Sequence, residues 1–380
     1  MPGEVQQRVD VGDRHLLGSR GELDDAVSGS YLARFEHAEV EARTVVGDEQ
    51  GGDPRIIHAD PDAIAGDTRL RHLEDRAADL VAIADARFVV AATGPFQRPV
   101  IPPIVPDGAV PLQIHSSGYR NPKQLPDGAV LVVGAGSSGV QIADELRQSG
   151  RRVFLSVGPH DRPPRRYRGR DFCWWLGVLG LWDAETPPLG AEHVTIAVSG
   201  AHGGHTVDFR YLAARGIELM GLTASYESGT LRFASDLGEN IARGDANYMS
   251  LLDEADAYVA RNGLDLPEEP EARMLGAVPA CVTDPLLELD LVEAGVNSII
   301  WATGFATDYS WLQVDAFDER GKPKHRRGVS SEPGVYFLGL PWLSRRGSSF
   351  IWGVWHDAKH LSDHITTQRG YLAHGAPVRA

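Results

Sequence analysis

The chain has 380 residues, 42% of them hydrophobic and 23% charged, with a net charge of −15. This composition is ordinary for a globular protein with room for two or three domains; the excess of acid argues against a nucleic-acid binder or an anionic membrane surface as partner, and no apolar run is long enough to cross a bilayer. The two cysteines, Cys173 and Cys281, are too few for a disulfide framework or a cysteine-rich metal site, and no basic start is followed by an apolar run, so a reducing cytoplasm is the expected address.

Residues 1–80 carry 18 acidic and 9 basic residues and only two aromatics, Tyr31 and Phe35. Such a segment is poorly equipped for a core of its own. We expect an atypical acidic leader over 1–87, disordered or displaced in reading frame. From residue 88 the pattern changes. An apolar strand over Phe88–Ala92 ends in Thr93-Gly94, and a Pro-rich connection follows. "PLQIHSSGYRNPKQLPDG" reads as loop and turns. Next comes the strand "AVLVVG", a glycine turn, and a helix with Val140, Ala143 and Leu146 on one face and Asp144, Glu145 and Arg147 exposed. "RRVFLSVG" is the following strand, which completes a unit the size of a right-handed parallel crossover.

Beyond it, a basic loop precedes the aromatic-rich segment 172–182, expected to pack as a helix or line a pocket. Residues 205–216 read as a helix returning to a strand at Ile217–Met220. Residues 231–263 read as predominantly helical, with Leu237, Ile241, Leu251 and Leu252 as core candidates. "NSIIWATGF" is a strand ending in Ala302-Thr303-Gly304, and "GVYFLGLPW" is another. The last helix is expected to set Phe350, Val354, Ala358, Leu361 and Ile365 on one face. The alternation argues for an α/β fold, a Rossmann-like doubly wound parallel sheet.

The glycine turn carries the sharpest chemistry. In "VLVVGAGSSGVQIADEL", Gly134 permits the tight turn, Gly136 lets backbone N–H groups approach a pyrophosphate, and Gly139 lets helix and strand pack closely. Ser137 and Ser138 open the helix, whose N-terminus favours phosphate. The second strand ends at Ser156 without an acid to hold a ribose 2′-hydroxyl, and Arg162, Arg165 and Arg166 follow. A hydroxyl and guanidinium groups suit a 2′-phosphate, so NADPH is expected over NADH; a solvated basic loop is the plainer account of the same residues. His356, His360 and His364 recur on one helix face, and His202 and His205 sit in a Gly-rich stretch. Neither set has a metal-ligand pattern, so a polar face and a loop are expected.

Residues 88 to about 365 resemble the flavin-containing monooxygenase superfamily, particularly its bacterial branch of potassium-transport-associated flavoproteins. The resemblance rests on "VVAATGPFQRP", "IHSSGYRNP", "GAGSSG", "WATGF" and "FLGLPWLSRRGSSFIWGVWHDA" in that order. Of the family motif F-x-G-x-x-x-H-x-x-x-Y/F, His115 and Tyr119 match, whereas Ala109 and Pro111 stand where Phe and Gly belong. Tyr119, where Baeyer–Villiger relatives carry Trp, tilts the resemblance towards oxygenation of N or S atoms.

The resemblance implies a two-dinucleotide-binding-domain flavoprotein fold. A linker and part of the FAD domain would span 88–127, an NADPH domain with an insertion 128–300, and the rest of the FAD domain 301–380. It implies FAD and NADPH as cofactors, with Thr93, Gly94, Thr303, Gly304, Gly339 and Ser348 beside them and the helix after Ser348 aimed at the flavin. The activity implied is monooxygenation of a small organic substrate by O2 through a C4a-hydroperoxyflavin, with no acid–base triad nominated. The family's first strand–GxGxxG–helix has no counterpart in 1–87. A flavin-free NADPH-binding regulatory module and an NADPH-dependent flavin reductase therefore stay open, as does a homo-oligomer. A disulfide-type oxidoreductase is disfavoured by the lack of Cys-x-x-Cys.

Overall fold

A computed structural model describes residues 87–185 and 195–375, together with the backbone of a two-residue antiparallel pair, Val45–Val46 with Arg55–Ile56. Apart from that pair and Arg87, the acidic leader lies outside the described residues. The main sheet is built from five parallel strands: β2 (Leu112–His115), β3 (Ala129–Val133), β4 (Val153–Ser156), β5 (Ile217–Met220) and β9 (Val296–Trp301), in the spatial order β5-β4-β3-β9-β2. The register sets Met220, Ser156, Val133, Trp301 and His115 at one level. The carboxyl ends of all five strands therefore form a common edge, and the strand order reverses between β3 and β9. Dinucleotides bind at that position in open α/β sheets.

The central strands β3 and β4 are near-continuous apolar runs, buried throughout, because both faces are covered. On one face Val130, Val132, Leu155 and Ile300 meet α1 (Ser137–Gln148) through Val140, Ala143 and Leu146. Phe209 and Leu212 of α3 (Phe209–Ala214) and Leu237 and Ile241 of α4 (Leu237–Asn262) complete that layer. On the other, Leu131, Val133, Phe154, Ile299 and Trp301 meet the antiparallel meander β6 (Thr223–Glu227), β7 (Thr230–Phe233) and β8 (Glu288–Asp290). The second half of α4 packs Tyr248, Leu252, Ala255 and Val259 against Tyr167 and against Trp175 of α2 (Phe172–Val178). A smaller cluster joins β1 (Val89–Ala91) to β10 (Val335–Phe337), paired in parallel; Tyr309, Leu340 and Leu343 cover them. The last helix is α5 (Val354–Gly375).

Four local expectations are corrected. Leu112–His115 is a strand rather than loop, because β9 offers it a parallel ladder and Leu112 and Ile114 pack on the core. Asp144 is buried: it accepts from Gln148 and pairs with Arg215 at 3.3 Å. Leu231–Phe233 is strand, so the helical stretch begins at Leu237. Arg346–Ser349 forms only a 3-10 turn, and Phe350 is 47% exposed ahead of α5. A Cβ on Gly353 would meet the Gly347 Cα at 2.8 Å; this backbone-to-backbone approach folds the chain back before the helix starts.

Candidate functional site

The site begins where β3 ends. Gly134 has φ of +105°, a left-handed conformation that glycine adopts without penalty. Its N–H is held by the Ser156 carbonyl at 3.1 Å. At Gly139 a Cβ would lie 2.9 Å from the Gly134 carbonyl carbon and 3.2 Å from the Ala302 Cβ, so α1 packs against the turn only because residue 139 has no side chain. Gly136 is the N-cap of α1, with no side-chain cap. Among the described residues, no hydrogen bond uses the N–H of Gly136, Ser137 or Ser138. Three amides at a helix N-terminus are thus available to an anion, reinforced by the helix dipole. One flank of the turn is lined by a segment that sequence reading missed. Ser137 Oγ donates to the Ile196 carbonyl at 3.0 Å, and the Thr195 methyl would stand 3.2 Å from a Cβ at 136. That segment is braced by two 2.8 Å backbone bonds with Asp161.

The residues nominated at the end of β4 are built into the interior. Ser156 is 1% exposed; its Oγ donates to the Gly221 carbonyl at 2.9 Å and accepts from the Thr223 N–H at 3.1 Å and the Thr223 hydroxyl at 2.8 Å. Arg162 is buried. It pairs with Asp245 at 2.8 Å, donates to the Val207 carbonyl at 3.0 Å, and lies 4.3 Å over the Tyr248 ring. Arg210 clamps the same Asp245 at 2.6 Å. Arg165 is buried against Asp171. Arg166 is exposed.

The motif residues His115 and Tyr119 tie the connecting segments together. His115 Nε2 donates to the Gly304 carbonyl at 2.9 Å. The acceptor fixes the tautomer, so Nδ1 accepts from the Ser117 N–H and hydroxyl. Burial lowers the imidazole pKa, the Gly304 bond opposing, and the ring stays neutral. Tyr119 Oη donates to Glu145 of α1 at 2.9 Å; burial, and next the Glu145 carboxylate, push the phenol above its ordinary value.

Gly94, Gly304 and Gly339 all have positive φ. Thr93 Oγ accepts from Gln97, Thr303 Oγ donates to the Val100 carbonyl, and Ser348 Oγ, wholly buried, accepts from the N–H groups of Ser344 and Arg345. His364 bonds Tyr336, and His356 lies 3.9 Å from Asp183. Cofactor fit therefore differs between the two nucleotides. The Gly134–Gly139 turn offers unpartnered amides at a helix N-terminus. Among the described residues there is no second strand–glycine turn–helix, and the three hydroxyls nominated for the flavin are engaged within the chain.

Residues 81–167 match the pyridine nucleotide-disulphide oxidoreductase family. The chain is 35% identical over 283 residues to the uncharacterized CzcO-like oxidoreductase of Geobacillus kaustophilus, covering 74% of this chain and 65% of that one. It is 31% identical over 275 residues to the uncharacterized oxidoreductase CzcO of Bacillus subtilis, covering 72% and 63%. A stretch of 101 residues is 41% identical to the flavin-containing monooxygenase iboF of Amanita muscaria, covering 24% and 18%. The chain thus spans less than two thirds of the length of these relatives. Among the described residues no helix is long and apolar enough to cross a membrane.

Proposed function

We propose, from the chain's similarity to oxidoreductases and flavin-containing monooxygenases, that it is an NADPH-dependent oxidoreductase binding its dinucleotide at the Gly134–Gly139 turn. The observation that carries the proposal is the set of N–H groups at Gly136, Ser137 and Ser138, without a partner among the described residues, at the point where the strand order reverses. Amides there hold a pyrophosphate by hydrogen bonds and by the dipole of α1. The absence of a carboxylate over Ser156–Gly158 favours NADPH over NADH. With the side chains of Ser156, Arg162 and Arg165 turned inward, exposed Arg166 is the remaining cation of that loop to meet a 2′-phosphate.

When bound, NADPH supplies a hydride; the protein binds, orients and excludes water. His115 aligns the two connecting segments through Gly304, and Tyr119 fixes α1 through Glu145, so both act on geometry rather than on protons. The finer reading is FAD-dependent monooxygenation of a small organic substrate by O2, and it rests on the superfamily alone. Because the described residues make no flavin cradle, no step is derived through the flavin. The internal bonding of Thr93, Thr303 and Ser348 favours a second reading, a flavin-free NADPH-binding module.

One preparation tests both. The purified protein is titrated with NADPH and NADH by tryptophan fluorescence, and its visible absorption is recorded before and after NADPH. NADPH binding with a flavin spectrum that NADPH bleaches supports the oxidoreductase. NADPH binding by a colourless protein supports the module and removes the oxidoreductase reading for this chain. Failure to bind either nucleotide overturns both.

A further inference from the structure

Residues 195–197 run beside the glycine turn as a short extended strap, and their hydrogen bonds fix which way each backbone group points. The Thr195 carbonyl accepts from the Asp161 N–H, and the Ala197 N–H donates to the Asp161 carbonyl, both at 2.8 Å. Successive residues of an extended chain turn their N–H and C=O groups to opposite sides, so both groups of Ile196 point away from Asp161. On that side the Ile196 carbonyl is met by the Ser137 hydroxyl of α1, at 3.0 Å. The Ile196 N–H points the same way and has no partner among the described residues. Thr195 reaches the turn with its side chain. Its methyl would stand 3.2 Å from a Cβ at position 136, the N-cap of α1. The Thr195 hydroxyl sits on the same carbon as that methyl; it is part of a half-buried residue and has no partner among the described residues.

The strap therefore turns donors towards the same anion position as the amides of Gly136, Ser137 and Ser138. It also ties the two ends of the nucleotide site together, since Ser137 belongs to the phosphate-binding turn and Asp161 to the loop after β4 that leads to Arg166. A pyrophosphate carries acceptor oxygens on all sides, and α1 reaches only those that face its N-terminus. We propose that the strap is the second wall of the pyrophosphate site and that the Thr195 hydroxyl is the side-chain ligand it supplies. Rotation of χ1 between staggered wells exchanges the methyl for the hydroxyl on the side of the turn, and a hydroxyl donating to an ionised phosphate oxygen makes one of the stronger bonds available to a neutral side chain. The assignment rests on the reading of the Gly134–Gly139 turn as the NADPH site and names a ligand of that site from outside the glycine motif.

The test is NADPH titration of the full chain and two variants by tryptophan fluorescence. Thr195→Val keeps the methyl and the shape of the side chain and strands no partner, so its Tm is expected to match the parent's. Its NADPH affinity is expected to fall about tenfold or more, the effect of losing one hydrogen bond to a charged group. Thr195→Ser keeps the hydroxyl and drops the methyl, and is expected to bind NADPH within about twofold of the parent. A contribution from packing alone would give the opposite order, with valine spared and serine weakened. The proposal is overturned if Thr195→Val binds NADPH as the parent does, or if Thr195→Ser falls as far as Thr195→Val. The underlying reading fails separately: a parent chain that binds no NADPH removes both. A parent that binds NADPH and is weakened by Gly136→Ala but not by Thr195→Val keeps the turn as the nucleotide site and overturns only the role of the strap.

Discussion

Helix α1 seats against β3 through the contact of Gly139 with Gly134, and that contact leaves no room for a methyl group. An alanine Cβ at 139 would stand 2.9 Å from the Gly134 carbonyl carbon and 3.2 Å from the Ala302 Cβ, with the Gly134 carbonyl oxygen nearer still. The obstructing atoms are backbone, and Gly134 is itself held by the Ser156 carbonyl, so relief requires α1 to move off the sheet. Overpacking costs about 1–3 kcal/mol, and a backbone obstacle places Gly139→Ala at the upper end, about 3 kcal/mol. At roughly 2–4 °C per kcal/mol for a domain of this size, Tm falls by roughly 6–12 °C. Gly136→Ala is the control that separates fold from binding. Its φ of −72° suits alanine, and the one tight contact of its Cβ among the described residues is the Thr195 methyl at 3.2 Å, a side chain able to yield, with the Ile196 carbonyl oxygen at an ordinary 3.8 Å. Its Tm is expected to stay near the parent's, while NADPH affinity drops about tenfold or more because the methyl occupies the approach of the pyrophosphate. Scanning fluorimetry reads the first effect and NADPH titration of tryptophan fluorescence the second. A parental Tm in Gly139→Ala refutes the packing argument; a parental NADPH affinity in Gly136→Ala refutes the phosphate assignment.

Three further outcomes are expected. Ser156→Ala strands the buried Thr223 hydroxyl and N–H, and urea unfolding should show a loss of about 1–3 kcal/mol; the NADPH-to-NADH affinity ratio should not move, and a shift towards NADH would show that the hydroxyl reaches the nucleotide. Asp245→Asn leaves the guanidiniums of Arg162 and Arg210 without their shared carboxylate, and should cost about 3–5 kcal/mol by the same measurement; a loss under about 1 kcal/mol would contradict the buried clamp. Stability should also fall as the solution is acidified below the ordinary histidine pKa of 6.5. Burial lowers the pKa of His115 and of His160, so in that range the unfolded chain binds more protons than the folded one, and ΔG of unfolding falls as the pH falls. Urea midpoints across the range should show a shallower decline for His115→Asn than for the parent; an identical decline would exclude His115 as a source.

What could be read from sequence and what could not divides along the range of the interactions involved. The strand, glycine turn and helix of residues 129–148 are legible because each feature is local: five buried residues in a row, glycines where backbone meets backbone, and an apolar face at helical spacing. The strand Leu112–His115 escaped because four residues between Pro111 and Ser116-Ser117-Gly118 look like loop until β9, far along the chain, supplies the ladder. The arginines after β4 read as a phosphate site because their carboxylates, Asp245 and Asp171, are set by tertiary packing rather than by spacing. Ser156 was the more tractable case. It closes the run Val153-Phe154-Leu155-Ser156, and an apolar run of that kind in a parallel sheet signals burial on both faces. A hydroxyl in such a strand has no solvent side to turn to, so it must find partners inside the fold. The apolar run that locates the end of β4 is thus the signal that fits what the structure shows, a hydroxyl bonded to Gly221 and Thr223 inside the fold.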